Sequence, residues 1–102
     1  DDGAVVDPAK AAALFYGDCD DTAAAAAVAQ LRPMRGGGQL THPPAWRTIP
    51  STYVVCTNDA ALPPAAQRMM AKRADTVVEW PTDHSPFLTR PAELAALVAS
   101  YR

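Results

Sequence analysis

Two segments set twenty-five positions apart end in residues able to pass a proton: Tyr53-Val54-Val55-Cys56-Thr57-Asn58-Asp59 and Trp80-Pro81-Thr82-Asp83-His84-Ser85-Pro86-Phe87. A carboxylate that accepts from one imidazole nitrogen fixes the tautomer and leaves the other nitrogen free to take a proton from a hydroxyl. In that scheme Asp59 orients and His84 is the base. Taken alone, Asp59 also suits a turn or helix cap, standing after Asn58 and before Pro63-Pro64, and a loop histidine is often only surface. Their placement after two apolar runs, in the order acid then imidazole, favours the proton-transfer reading.

The pair lacks a nucleophile within the chain. Ser51, Ser85 and Ser100 are the serines, and none has glycine two positions before and two after it. Those small neighbours are what allow a strained strand-to-helix turn to expose a hydroxyl. Ser85 also follows His84 directly, which makes productive approach to its ring difficult. Asp83, next to His84, is expected to be a turn or surface acid, because adjacent residues in an extended loop point apart. His42 reads as a solvated loop residue. His42, His84, Asp83 and Cys56 have no metal-ligand spacing, and Met69, Met70 and Trp80 read as core filling. No metal or cofactor is expected.

Around these residues the pattern is β-α-β-α. Ser51 to Cys56 is β-branched and aromatic, residues 63–73 have helical composition behind a proline pair, Thr76 to Trp80 is a second strand, and residues 91–101 form a closing helix. Both strands are near-continuous apolar runs, which predicts a parallel sheet covered on both faces. In the closing helix Leu94, Leu97, Val98 and Tyr101 recur every three or four positions and predict a buried stripe. Side chains just beyond the carboxyl ends of neighbouring parallel strands converge on one crevice, so this topology would bring Asp59 to His84. Upstream, Asp7-Pro8 opens a helix reaching about Gly17, after a short extended piece over residues 1–6. A second helix runs from Asp20 or Asp21 through an alanine stretch to Leu31 and stops before Pro33. Gly36-Gly37-Gly38 and Pro43-Pro44 mark a connecting loop, and no Gly-Lys-Ser/Thr follows the glycines to suggest a phosphate loop.

Composition bounds the rest. A chain of 102 residues holds one small domain at most. Much of its 49% apolar fraction is alanine and only 7% is aromatic, so a true core is expected after Trp46. A net charge of −2 without a basic cluster argues against nucleic acid, and no apolar run nears the roughly 20 residues that span a bilayer. Cys19 and Cys56 read as two reduced thiols, favouring a cytoplasmic setting. A sheet of two strands alone would leave an unpaired edge, so further strands supplied from upstream sequence, or a homodimer, are expected to cover it.

The runs from Pro50 to Asp59 and from Thr82 to Leu88, with Leu62-Pro63-Pro64, Gln67, Met70 and Arg90-Pro91-Ala92-Glu93, closely resemble the carboxyl-terminal part of α/β-hydrolase-fold proteins. The nearest branch is similar to bacterial relatives of the plant methylesterase and hydroxynitrile-lyase group. Phe15-Tyr16-Gly17-Asp18-Cys19 and the helix before Leu31-Arg32-Pro33 resemble the end of that branch's cap. The resemblance implies an α/β fold in which residues 1–35 are cap helices, residues 36–49 a connection and residues 50–102 the closing βαβα part of the core. It further implies that Asp59 and His84 are triad acid and base of a serine hydrolase, most relatives being esterases that work through an acyl-enzyme. The serine and oxyanion amides would then come from an amino-terminal half of the same hydrolase. Phe15, Tyr16, Leu31 and Met34 are the candidate contacts to a small ester-like substrate. The alternative is a truncated, non-catalytic relative that binds a small ligand.

Overall fold

The computed structural model describes residues 4–101. Five helices and two strands follow one another as α1 (Pro8–Phe15), α2 (Asp21–Ala29), β1 (Thr52–Cys56), α3 (Pro64–Ala71), β2 (Thr76–Trp80), α4 (Pro86–Thr89) and α5 (Pro91–Ala99), with a 3-10 turn at Ala45–Arg47 ahead of β1. The fold is α/β, with β1 and β2 pairing in parallel from Thr52 opposite Thr76 to Cys56 opposite Trp80. Of the extended piece expected at residues 1–6, Ala4 forms an antiparallel bridge to Met34, and residues 1–3 lie outside the described residues.

Local chemistry sets the helix starts. Asp7 caps α1 by accepting from the Ala9 amide, with Pro8 in the first turn. Asp20 caps α2 through the Ala23 amide at 2.7 Å. The helices α3, α4 and α5 lack a side-chain cap and each begins on proline, which supplies the helical φ and has no amide to leave unpaired. The helix α2 ends at Ala29, two residues short of the expected Leu31; its alanine face buries only Ala24.

The buried apolar set is small: Val55, Cys56 and Ala71 around β1 and α3, with Ala11 and Ala24 where α1 meets α2. An equal number of buried residues is polar, namely Asp59, Gln67, Thr82, Asp83 and Ser85. They cluster in sequence beyond the two strand ends and on the facing side of α3.

Three expectations fail on coverage. The helix α3 packs on β1, but Val77 in β2 remains 46% exposed, so the sheet is not enclosed on both faces among the described residues. The stripe of α5 is only half realised: Leu94 and Leu97 are half-buried, while Val98 and Tyr101 face water because the helix packs chiefly against α4. Met69 and Met70 are exposed rather than core, since the inward positions of α3 belong to Gln67 and Ala71. Polar contacts bind the surface instead. Arg68 on α3 grips both carboxylate oxygens of Glu79 on β2 at 2.9 and 3.0 Å, and the Tyr101 and Thr52 hydroxyls hydrogen-bond to each other.

Val55 is fully buried, so truncation there removes apolar contact and leaves a cavity beside β1. Val55→Ala should cost about 2 kcal/mol, read as a lower urea midpoint with an unchanged slope.

Candidate active site

The strand ladder does not stop where the strands do. The Thr57 amide donates to Trp80 O at 2.9 Å and the Asn58 amide to Thr82 O at 3.0 Å, so the two segments stay paired until just before Asp59 and His84. That extension brings the two side chains together: His84 Nδ1 lies 2.7 Å from Asp59 Oδ2. The Asp59 side chain is 3% exposed and that of His84 40%. With Nδ1 committed to the carboxylate, Nε2 is the nitrogen left to exchange protons.

A buried carboxylate needs donors in proportion to its lone pairs. Oδ1 of Asp59 accepts from the Ala61 and Leu62 amides at 2.8 and 2.9 Å, which folds the turn back over the acid. Oδ2 accepts from Gln67 Nε2 at 3.2 Å as well as facing His84. Burial pushes the carboxyl upward, but the Leu62 amide, the His84 ring and the Ala61 amide together hold it below its ordinary value of 3.8. Asp59 is therefore a carboxylate at neutral pH, as an orienting acid must be.

Gln67 is the residue that sequence reading placed in a motif without giving it a task. Its carbonyl accepts from the Cys56 amide at 2.8 Å, and its NH2 group donates toward Cys56 O, Leu62 O and Asp59. One side chain thus joins the end of β1, the turn and the acid. A glutamine beside alanines in a short helical stretch, eight residues after a candidate acid, is the signal that could have marked it.

Asp83 is a turn acid, as one of its two expected roles has it, but it is buried. It is 2% exposed, not a surface acid, because the loop turns it inward to accept from the Ser85 amide at 2.8 Å and the Asp18 amide at 3.0 Å. His84 and its neighbour do point apart, as the extended-loop argument requires, but the side away from Asp59 is interior too.

In front of His84 lies a cleft of about 540 Å³ whose walls include Phe15, Tyr16, Leu31, Met34 and Ser85. All four candidate substrate contacts therefore stand around one space with the imidazole. The Phe15 ring sits 5.3 Å from the imidazole, centroid to centroid, tilted by 44°, and Tyr16 meets Phe15 edge-on at 6.0 Å. The volume is that of a small-molecule site. Cys19 is half-buried nearby; burial, then the charges of Asp83, Asp20 and Asp18, push its thiol up, which keeps it protonated and a poor nucleophile at neutral pH. His42 is exposed. Among the described residues no group of three or more His, Cys, Asp or Glu side chains could hold a metal ion, and no helix is long and apolar enough to cross a membrane.

A buried acid paired with an imidazole beyond adjacent parallel strands, facing a small-molecule cleft, defines a site of the kind α/β enzymes build at a sheet's carboxyl edge. Residues 2–97 match the alpha/beta hydrolase family, and the chain belongs to that family. It is similar to the alpha/beta hydrolase nvfD of Aspergillus novofumigatus (strain IBT 16806), with 30% identity over 92 residues that cover 85% of this chain and 37% of that protein. The chain thus spans little more than a third of that relative's length. No solved structure matches it significantly.

The depressed Asp59 carboxyl ties stability to pH. A group whose folded value lies below its ordinary 3.8 contributes stability that is fully present above that value and is lost as pH falls through the lower folded value. Asp59→Asn should therefore be less stable than the native protein at neutral pH, with the gap shrinking as the pH falls below 3.8. Urea titrations at neutral pH and across that acid range measure it.

Proposed function

We propose that this chain supplies the acid and base of a serine-type ester hydrolase whose nucleophile and oxyanion amides lie in sequence outside it. The Asp59–His84 contact of 2.7 Å carries the reading. The bridging carboxylate holds the ring with Nε2 toward the cleft, where a serine Oγ from the rest of the enzyme would deliver its proton as it attacks an ester carbonyl. The imidazolium formed is stabilised by Asp59 and returns the proton to the departing alcohol, leaving an acyl-enzyme that water hydrolyses by the same exchange.

Phe15, Tyr16, Leu31 and Met34 would contact the acyl or alcohol part of the substrate, and α1 and α2 would act as a lid. The unpaired thiols of Cys19 and Cys56 suit a reducing cytoplasm. The chemistry requires only side chains, backbone amides and water, with no cofactor.

In the full-length enzyme, a fluorophosphonate probe should label a serine outside these residues. Asp59→Ala and His84→Ala should each lower kcat/KM for ester hydrolysis by roughly three orders of magnitude or more. Labelling of this segment itself, or ligand binding without turnover in the unsubstituted protein, would overturn the assignment, the latter in favour of a binding module.

A further inference from the structure

We propose that Asp18 and Asp83 form a latch that holds the aromatic wall of the cleft in register with His84, making both of them positioning residues for the hydrolase reaction put forward above, on which this inference rests. Their contact is reciprocal. The Asp83 amide donates to Asp18 Oδ2 at 2.7 Å, and the Asp18 amide donates to Asp83 Oδ2 at 3.0 Å, across a separation of 65 residues. The other oxygen of Asp83 accepts from the Ser85 amide at 2.8 Å. His84 is thus flanked on both sides by residues that this one buried carboxylate anchors.

The same latch reaches the opposite wall. Asp18 stands just beyond the end of α1, in a turn closed by the Cys19 amide donating to Tyr16 O at 3.0 Å. Phe15, the last residue of α1, rests against the imidazole. Fixing Asp18 to Asp83 therefore sets the distance between the Phe15–Tyr16 pair and His84. The latch touches neither the Asp59–His84 bond nor the free imidazole nitrogen, so it governs how substrate is held more than how the proton moves.

The two acids differ in a way that can be tested. Asp83 uses both oxygens as acceptors, whereas Asp18 uses one. An asparagine side chain offers a single acceptor oxygen. Asp18→Asn can keep its bond; Asp83→Asn must lose one.

The test uses the full-length protein and two kinds of readout. By NMR, Asp83→Asn should speed hydrogen exchange at the Asp18 or Ser85 amide by roughly tenfold or more, Asp18→Ala should do the same at the Asp83 amide, and Asp18→Asn should leave it near the native rate. The Phe15–His84 cross-peak should weaken in Asp83→Asn and Asp18→Ala alone. With an ester substrate, those two variants should raise KM by roughly tenfold with kcat changed less than about threefold, and Asp18→Asn should restore KM. If Asp18→Asn is as damaging as Asp18→Ala, charge rather than bond geometry is at work and the latch is wrong. Unchanged exchange and cross-peak in Asp83→Asn would also refute it. Should Asp83→Asn not fold, the Asp18 pair decides by the same criteria. Exchange and cross-peak do not depend on turnover, so they judge the latch even if no ester is cleaved, while sensitivity of hydrolysis to Asp59 and His84 judges the hydrolase reading separately.

Discussion

A carboxylate removed from water must be surrounded by donors, and that requirement shapes everything beyond the two strand ends. Asp59 and Asp83 are both buried, on the two segments that leave the sheet side by side. Leaving either unsatisfied would cost more than most single apolar contacts in this small core return. The turn after β1 therefore wraps the Ala61 and Leu62 amides onto Asp59, and the loop after β2 wraps the Ser85 amide onto Asp83. Loop shape here is a consequence of charge burial, and the position of His84 is a consequence of loop shape.

Parallel register supplies the other half of the precision. A slip of one residue between β1 and β2 would send every side chain of the slipped strand to the wrong face and separate acid from imidazole. Backbone pairing through Thr57 and Asn58 extends the register past the strands, and Gln67 closes on both the amide and the carbonyl of Cys56. The strand end is thereby fixed by its neighbour strand on one side and by α3 on the other. A glutamine can do this because its amide both accepts and donates, which is why a hydrophobic residue of similar size would fill the space without holding the turn.

How much of this was legible in the sequence follows from the range of each interaction. The strands, the capped starts of α1 and α2, and the Asp59–His84 pair rest on local pattern plus one topological rule, and they could be read directly; Thr76–Trp80 coincides with its expected limits. What escaped depends on partners that no local pattern names. Asp83 makes the expected turn with the Ser85 amide, but its burial escapes a local reading because the second amide it accepts comes from 65 residues away. Val98 and Tyr101 carry helical spacing, but periodicity states which face is apolar and is silent on what covers it. The short α4 has no signature in the sequence for another reason: a helix of one turn leaves no period to detect.

The composition of α1 and α2 explains why directional contacts matter so much at the cleft. Alanine favours helix and allows two helices to approach closely, yet each burial contributes little, and only Ala11 and Ala24 are buried there. An interface made this way has weak preference for any one position of the two helices. Placement must then come from the few contacts with direction: the paired amides at Asp18 and Asp83, the Ala4–Met34 bridge, and the Phe15 ring against His84. A wall held by so few bonds can be shifted by a single substitution, whereas a leucine-packed interface of equal area would absorb the same change in its bulk.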